Sequence, residues 1–305
     1  MIDLNKLFFN KKNRKIAIVA YENITQAVFS SILYRNLKES NYNVFLIISK
    51  NNYPYFFEEI YLQNIYYVEN QIIDIQHNFL AEQFDHVIDL VNTFNTKVFF
   101  SSLEIRNVIN SELITKRPFW KFLKNNIKTS NIIDNILNKL SVNNDHKGLI
   151  FNNKNQENLK LIELFDPFIY SMMYHGGFLV FFIETLEFST QEIIKLCIKI
   201  ETPILLLNSI NNKPTTQFIA KECGPTVIDA SVFYEPKYFQ SLLNQSKAVL
   251  SFRNDIISIM SGIDKPLFII SNSLDKIENI YIESYRKHLP KVLNYNNIET
   301  DFFKS

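Results

Sequence analysis

Short β-branched apolar runs alternate along this chain with longer segments whose apolar residues recur at helical spacing, and this alternation constrains the fold more than any other feature. Residues 16–20 form a continuous apolar run of strand length, and residues 24–41 then repeat their apolar positions every three or four residues. Parallel strands need a crossover between them, usually a helix, so this alternation predicts parallel sheets with helices on both faces.

The same pattern continues along the chain and restarts in its second half. It predicts strands at 44–49, 86–90, 178–183, 203–207, 248–252 and 267–271, and helices at 131–140, 190–200, 214–222, 238–245 and 255–261. Ser189 is the expected N-cap of the helix at 190–200, and Gly224 is expected to close the helix at 214–222. Because 305 residues are ample for two domains, we expect two Rossmann-like domains, at 1–165 and 166–305.

The composition excludes several function classes. The chain has 5 glycines, and no window supplies the spaced glycines that a Walker or dinucleotide-binding phosphate loop requires. With 32 Lys and Arg against 31 Asp and Glu, the net charge of +1 argues against nucleic-acid binding, which needs a basic surplus. The 2 cysteines, of which Cys197 is expected in the core, and the 5 histidines show no metal-ligand spacing. We therefore expect no metal, no cofactor and no nucleic-acid partner.

No segment of the sequence has the pattern of a signal peptide or a membrane span. The apolar run that follows the basic residues 11–15 is ended by Glu22, too early for a signal peptide. The longest apolar stretch, residues 168–183, is interrupted by His175-Gly176-Gly177 and is predicted to be a helix, a turn and a strand. The sequence therefore predicts a cytoplasmic protein, with contact to a membrane surface left open.

Three segments resemble the ADP-heptose:lipopolysaccharide heptosyltransferase family. Residues 15–38, which end Leu-Tyr-Arg-Asn-Leu-Lys, are similar to the family's opening strand, its Gly-Asp turn and its helix ending Leu-Arg-x-Leu-Lys. Residues 84–90 are similar to its strand Tyr-Asp-x-Val-Ile-Asp-Leu. Residues 239–266 match, without a gap, its module of helix, strand, Asp-Ser-Gly-x-x-His helix and Gly-Lys-Pro.

This resemblance implies a GT-B-like α/β fold, in which two Rossmann-like domains with mostly parallel sheets face each other across a cleft. It also implies a metal-independent glycosyltransferase whose N-terminal domain serves the acceptor and whose C-terminal domain serves the nucleotide-sugar donor. The implied acceptor is a saccharide or glycolipid of the bacterial envelope. The implied location is the cytoplasm, at the cytoplasmic face of the inner membrane.

The catalytic position of the family differs in this chain. Thr25-Gln26 stands where the family has Gly-Asp, whose aspartate is the base that deprotonates the acceptor hydroxyl. Gln26 can bind a sugar hydroxyl, but an amide cannot take its proton. Glu22 is the only carboxylate in the first strand-to-helix turn, so it is either a displaced base or a surface loop acid. Glu22 and Gln26 are therefore the catalytic candidates.

The donor-side motif is also substituted. Arg253-Asn254-Asp255 and Ser258 stand at the positions of Asp-Ser-Gly and His. Arg253 and Asn254 are expected in a loop at the carboxyl end of a strand, where Arg253 either grips a diphosphate bidentately or pairs with Asp255. Asp255 is a helix-capping or donor-binding residue, and Ser258 either replaces the histidine or packs. Thr185 matches a phosphate-contacting hydroxyl of the family.

Two further residues have both a functional and a structural interpretation. Asp89, at the end of the strand 86–90, is either an acceptor-side residue or a carboxylate that binds loop amides. Trp120, which lies among basic and aromatic residues, either contacts anionic lipid or a lipid-linked acceptor or is a partly buried helix residue.

Two functions from different classes remain open at this stage. The first is a glycosyltransferase that uses a nucleotide-sugar donor. The second is a catalytically degenerate pseudo-glycosyltransferase that acts as a binding or assembly partner. A nucleotide-sugar epimerase of related two-lobed shape is less well supported, because its phosphate loops would need more glycine.

Overall fold

The computed structural model describes residues 14–50, 56, 64–110, 132–152, 167, 170–171, 177–183, 188–208, 212–252, 256–271 and 291–295. The contacts of the chain divide it into two compact units, Met1–Asn152 and Asn153–Ser305. The boundary predicted at 165/166 lies outside the described residues and stays a prediction.

The first unit contains a sheet of five parallel strands in the order β3-β2-β1-β4-β5. Its elements are β1 (Lys15–Ala20), α1 (Ile24–Glu39), β2 (Asn43–Ile48), β3 (Ile65–Tyr67), α2 (Gln76–Glu82), β4 (His86–Asp89), α3 (Phe94–Ser102), β5 (Val108–Asn110) and α4 (Ile132–Lys139). A 3₁₀ turn at Ile72–Ile75 precedes α2.

The second unit contains a sheet of six parallel strands in the order β11-β10-β9-β6-β7-β8. Its elements are β6 (Leu179–Phe182), α5 (Thr190–Lys199), β7 (Ile204–Leu207), α6 (Lys213–Cys223), β8 (Val227–Asp229), α7 (Pro236–Gln245), β9 (Ala248–Ser251), α8 (Ile256–Ile259), β10 (Leu267–Ser271) and β11 (Lys291–Asn294). Two 3₁₀ turns, Ser231–Phe233 and Met260–Gly262, precede α7 and follow α8.

Both sheets follow the same plan. Counted from the first strand of its unit, each sheet runs 3-2-1-4-5, and the second sheet adds a sixth strand after the fifth. This is the strand order of the Rossmann fold, in which the order reverses between strands 1 and 4. The expectation of two Rossmann-like units with parallel sheets is therefore confirmed.

The first strand of each unit is buried on both faces, as its continuous apolar run predicts. In β1, residues Ile16–Ala20 are at most 2% exposed, and in β6 all of Leu179–Phe182 are buried. Neighbouring strands pair with β1 along both edges. Because consecutive residues of a strand point to opposite faces, the burial of all of them means that both faces of β1 are covered. Burial of this kind, at about 25 cal/mol per Å² of apolar surface, is the main term that favours the fold.

Local sequence signals set several helix ends of the second unit. Ser189 is the N-cap of α5: its backbone N–H donates to Glu192 Oε2 (2.8 Å), and its hydroxyl accepts from the Glu192 N–H (3.3 Å). Gly224 closes α6 with a positive φ of 85°. Both predictions are confirmed. The observed helix α8 is shorter than the helix predicted at 255–261, because it ends at Ile259 and a 3₁₀ turn follows it.

All four described helices of the first unit end at a left-handed residue that is not glycine, and for α2 this residue is Gln83 (φ 52°). The other three share a further feature. Asn41, Glu104 and Ser141 have φ values of 64°, 54° and 55°. In each case the following N–H reaches back to a carbonyl five residues earlier, as in a Schellman motif; these bonds are Tyr42 to Leu37 (3.1 Å), Ile105 to Phe100 (3.1 Å) and Val142 to Leu137 (2.9 Å). Tertiary structure thus closes these helices with residues that have a β-carbon.

Helix α1 is buried almost all round, and its polar side chains Arg35 and Asn36 have hydrogen-bond partners within the first unit. Every residue from Gln26 to Leu37 is buried. Arg35 donates from Nε to Asp145 Oδ2 (2.7 Å) and from Nη2 to Asp145 Oδ1 (3.0 Å) and the Gly148 carbonyl (2.8 Å). The Asp145 N–H donates to Asn36 Oδ1 (2.7 Å). These bonds fix the segment after α4 against α1, and both members of the ion pair are only 11% exposed.

We expect Asp145→Ala to lower the free energy of unfolding by about 3 kcal/mol, because it leaves the buried Arg35 charge without its partner. Urea denaturation of the purified protein measures the loss. Glu235→Ala is the matched control: it removes the exposed pair Lys237–Glu235 (3.4 Å) and should cost less than about 1 kcal/mol. Equal losses in the two variants would contradict the structural role of the buried pair.

The same pair gives a pH dependence with a definite sign. Burial alone raises the pKa of Asp145, but hydrogen bonds from Arg35, the Lys147 N–H and Asn36, with the Arg35 charge, hold that pKa below its ordinary value. The stability that the ionised Asp145 contributes is therefore present above the ordinary aspartate pKa, and it is lost as the pH falls through the lowered folded-state pKa. The Asp145→Ala variant should lack this part of the acid dependence.

Candidate functional site

The reversal of strand order in the first unit brings the carboxyl ends of β1 and β4 side by side. Val19 is paired with Asp89, and the Leu90 N–H donates to the Val19 carbonyl (3.0 Å). Ligands of open α/β sheets bind at such switch points. We call this edge, with residues 21–26 and 89–96, the first switch point. The predicted residues Glu22, Gln26 and Asp89 all lie on it.

Gln26 lies in the first turn of α1 and is 8% exposed. Its backbone N–H donates to the N-cap residue Asn23 (2.9 Å at Oδ1), and its own Oε1 accepts from the Glu22 N–H (3.0 Å). The side chain thus ties the loop to the helix, which leaves its amide N–H₂ as the group that can bind a ligand hydroxyl. Thr25, at a glycine position of the resembled family, lies inside the helix rather than in a turn.

Glu22 is exposed in the loop between β1 and α1, where the sequence placed it. Its main chain is fixed by the hydrogen bond to Gln26, so the position of its Cα is defined although its carboxylate points to solvent. A base must reach a ligand proton, and exposure at a switch point satisfies that requirement. The role of Glu22 as a base stays a prediction.

Tyr21, directly after β1, is a residue that the sequence reasoning missed. Burial, followed by the negative charges of Glu22 and Asp89, raises the pKa of its phenol to about 12. The hydroxyl therefore stays protonated at neutral pH and can donate a hydrogen bond beside two carboxylates. Its position immediately after a buried first strand is the signal that could have drawn attention to it.

Asp89 is 1% exposed, and both of its oxygens are occupied. Oδ1 accepts from the N–H groups of Val91 (3.1 Å) and Asn92 (2.9 Å), and Oδ2 accepts from the Thr96 hydroxyl (2.7 Å). Burial raises the pKa of Asp89 above its ordinary value, although these bonds oppose the rise. The contacts are those of a carboxylate that shapes the loop before α3, and its acceptor-side role stays a prediction.

Asn92 is a second residue that the sequence reasoning missed. It adopts a left-handed conformation (φ 54°) in the loop that Asp89 holds. Its Oδ1 is buried and has no hydrogen-bond partner among the described residues. An acceptor without a partner at the edge of a switch point is suited to receive a ligand hydroxyl. Sequence could indicate only that Asn tolerates this conformation.

In the second unit the order reverses between β6 and β9, and we call the carboxyl ends of these two strands the second switch point. The Phe252 N–H donates to the Phe182 carbonyl across it (3.1 Å). The donor-side candidates Thr185, Arg253, Asn254 and Asp255 lie outside the described residues, as does the side chain of Ser258, whose backbone belongs to α8. The segment 253–255 therefore follows the strand end that this switch point contains.

An aromatic layer fixes the chain just before that segment. The Phe252 ring stacks on Phe188 (4.4 Å between centroids, 27° between planes) and contacts Phe181 (4.9 Å). Tyr295 contacts Phe188 from another side (5.0 Å) and donates from its hydroxyl to the Glu192 carbonyl (2.9 Å). The last residue before Arg253 is thus held in a defined position.

Small polar residues mark the carboxyl ends of neighbouring strands in the second sheet. They are Asn208 after β7, Ser231 after β8, Ser251 at the end of β9 and Ser271 at the end of β10, and all are buried. The Ser231 hydroxyl has no hydrogen-bond partner among the described residues. Sequence reasoning did not single out this polar edge.

Neither metal ligation nor membrane spanning is seen in the described part of the chain. No group of three His, Cys, Asp or Glu side chains there is placed to hold a metal ion. No helix there is long and apolar enough to cross a bilayer. Trp120 and His175 lie outside the described residues, so the two interpretations of Trp120 and the turn expected at His175 stay predictions.

Solved structures of two glycosyltransferases and one epimerase have a similar fold. No protein-family model matches this sequence, and no curated protein sequence matches it. The glycosyl transferase family 9 structure from Veillonella parvula has a TM-score of 0.59 at 12% identity, over 95% of this chain and 90% of that chain. E. coli heptosyltransferase WaaC with ADP has a TM-score of 0.52 at 10% identity, over 94% of both chains.

A UDP-N-acetylglucosamine 2-epimerase is also similar, with a TM-score of 0.51 at 13% identity, over 93% of this chain and 84% of that chain. The class defined by these likenesses is the GT-B-like α/β fold, and the expected fold class is confirmed. The resemblance to the heptosyltransferases, first seen in three segments, is confirmed at the level of the fold.

We expect Asp89→Ala to lower the free energy of unfolding by about 3 kcal/mol, because three hydrogen bonds of about 1 kcal/mol each are lost. Asp89→Asn should cost less than about 1 kcal/mol, since its amide can donate to the Thr96 hydroxyl while that hydroxyl donates to the Thr93 carbonyl (3.0 Å). Thermal and urea unfolding measure both variants.

The stability that Asp89 contributes depends on pH with the opposite sign to the stability that Asp145 contributes. Because the folded-state pKa of Asp89 is raised, its contribution is fully present below the ordinary aspartate pKa and is lost as the pH rises through the raised value. The loss in the free energy of unfolding that Asp89→Asn causes, relative to the parent protein, should therefore be smaller at neutral pH than at pH 4. A larger deficit at neutral pH would contradict this assignment.

Proposed function

We propose that this protein is a glycosyltransferase that binds a nucleotide sugar at the second switch point and a saccharide or glycolipid acceptor of the bacterial envelope at the first. The observation that carries the proposal is the repeated strand order, which gives each unit a switch point lined by polar residues. The likeness of the fold to a family 9 glycosyltransferase over nearly the whole chain supports it.

At the acceptor side we assign the role of general base to Glu22. Transfer of a sugar requires that the attacking hydroxyl lose its proton, and a carboxylate can take it. Asp89 is unsuited to this role because it is buried and both oxygens are occupied. Gln26, through its amide N–H₂, and Tyr21, through its protonated phenol, bind the acceptor saccharide in this proposal.

At the donor side we assign the leaving diphosphate to the segment that follows β9. Negative charge develops on the diphosphate as the glycosidic bond breaks, and Arg253 can neutralise it through two parallel hydrogen bonds. In this proposal Asn254 and Thr185 donate further hydrogen bonds to the diphosphate, and Asp255 and Ser258 belong to the same donor-binding set. The E. coli heptosyltransferase of the same fold was solved with ADP, which supports a nucleotide ligand for this class.

The alternative is a pseudo-glycosyltransferase that acts as a binding or assembly partner. The observation that favours it is the use of Gln26, at the family's catalytic position, to hold the Glu22 N–H. This alternative predicts ligand binding without turnover.

In the proposed enzyme the protein rests at the cytoplasmic face of the inner membrane, where glycolipid acceptors are found.

A thermal-shift panel tests the donor assignment. A nucleotide sugar present at about 100 times its Kd should stabilise the protein by about 2.7 kcal/mol and raise its Tm by about 5 °C or more. Arg253→Ala should abolish most of this shift, whereas Arg106→Ala, which removes an exposed arginine from the first unit, should retain it. The donor assignment fails if no nucleotide or nucleotide sugar shifts the Tm, and an unchanged shift in Arg253→Ala refutes that residue's role.

The base assignment is tested with the donor that the panel identifies. Glu22→Gln should lower kcat by about 10²–10⁴-fold, because the attacking hydroxyl loses its proton acceptor, and should leave the donor-induced thermal shift unchanged. Glu39→Gln makes the same chemical change at the far end of α1 and should keep full activity. Full activity in Glu22→Gln would refute the base, and a parent protein that binds donor without any transfer would favour the pseudo-enzyme.

A further inference from the structure

The two cysteines of this chain lie next to each other on neighbouring helices of the second unit. Cys197 is on α5, and Cys223 is the last residue of α6. The Cys223 Sγ is 3.8 Å from the carbonyl oxygen of Ile194, which lies one helical turn before Cys197. Cys223 also packs against the hydrophobic cluster to which Cys197 belongs, so the two thiols lie in the same small region between the helices. Sequence separation gave no indication of this contact.

The two thiols differ in access and in acidity. Cys197 is 1% exposed inside the core of the second unit, whereas Cys223 packs against the edge of that core and is half-buried. The hydrogen bond to Cys223, together with burial, raises the pKa of the Cys197 thiol. The same bond, with Cys197 as donor, lowers the pKa of Cys223. Cys223 is therefore the thiol that a reagent reaches and the one that ionises first.

We propose that Cys197 and Cys223 form a redox-active thiol pair, which closes to a disulfide between α5 and α6 when it reacts with a small-molecule disulfide such as oxidised glutathione. The geometry that carries the proposal is a half-buried Cys223 sulfur, 3.8 Å from a carbonyl oxygen that lies one helical turn before the buried Cys197, in one cluster with it. Cys197 and Cys223 lie near the ends of the helices that lead into the amino ends of β7 and β8, away from the second switch point, and the pair is independent of the proposed glycosyl transfer.

The reaction balances in two exchange steps. The Cys223 thiolate attacks one sulfur of oxidised glutathione, the glutathione disulfide breaks, and one glutathione leaves as a thiolate that takes up a proton. Cys197 then loses its proton to solvent and attacks the Cys223 sulfur of the mixed disulfide, which releases the second glutathione. The two protein thiols are oxidised to one disulfide, and one molecule of oxidised glutathione is reduced to two thiols.

Closure of the disulfide has a structural consequence. Helix α5 precedes β7 and α6 precedes β8, and residues of both helices pack in one hydrophobic cluster with Leu179, Phe181 and Leu206 of the sheet. A covalent link between the helices restricts the unfolded chain and should raise the Tm of the second unit by about 5–10 °C. In a reducing compartment the pair remains as two thiols.

The test uses the full-length protein in native buffer with oxidised glutathione, followed by alkylation of the remaining thiols, proteolysis and mass spectrometry. The expected result is a link between the peptides that contain Cys197 and Cys223 within one chain, together with the rise in Tm, both reversed by dithiothreitol. Linked peptides that form only in denaturant, or links only between two chains, would overturn the proposal.

Two variants make the order of attack visible. Cys197→Ala should stop at a stable glutathione adduct on Cys223 and show no rise in Tm. Cys223→Ala should remain unmodified under native conditions, because the remaining thiol is buried. Rapid modification of Cys197 in Cys223→Ala would refute the assignment of Cys223 as the attacking thiol. The linked peptide of the parent protein is decisive even if either variant folds poorly.

Discussion

Parallel pairing of strands that are buried on both faces is the constraint on which the rest of this structure depends. A parallel strand cannot be followed directly by its neighbour, so every strand of both sheets must return through a crossover, and every carboxyl end opens on the same edge. Where the strand order reverses, between β1 and β4 and between β6 and β9, the connections leave the two adjacent strands in opposite directions, and a crevice opens at their carboxyl ends. The positions of Glu22, Asp89 and Phe252 all follow from this one requirement.

Helix α1 connects the scaffold of the first unit to its candidate site. Its first turn carries Gln26, which holds the loop after β1, and its later turns carry Arg35 and Asn36, which hold the segment after α4. A helix buried on all sides needs internal partners for its polar groups, because an unpaired buried group costs more than a hydrogen bond gains. The same packing that fixes the core therefore sets where the loop that contains Glu22 ends.

Sequence patterns predicted those elements in which burial alone decides the structure. The continuous apolar runs of β1 and β6 mark strands covered on both faces, and Ser189 with Glu192 marks the start of α5. The three-residue strands β3, β5 and β8 have too few residues to show a period, and exposed apolar side chains such as Phe94 (79%) and Leu80 (57%) obscure the period of α3 and α2. At the candidate site, Glu22 and Gln26 could be found from the resemblance, whereas the contact of Cys197 with Cys223 depends on how two helices pack.

The helix ends closed by Asn41, Glu104 and Ser141 show how a fold can be kept while its composition changes. A residue with a β-carbon in the left-handed region costs about 1–2 kcal/mol relative to glycine, and less for asparagine. The same residue, however, loses less backbone entropy on folding than glycine does, which returns part of that cost. A chain with 5 glycines can therefore keep Schellman closures wherever tertiary contacts impose them. Helix termination at these positions is therefore a property of the whole fold and does not require a glycine in the local sequence.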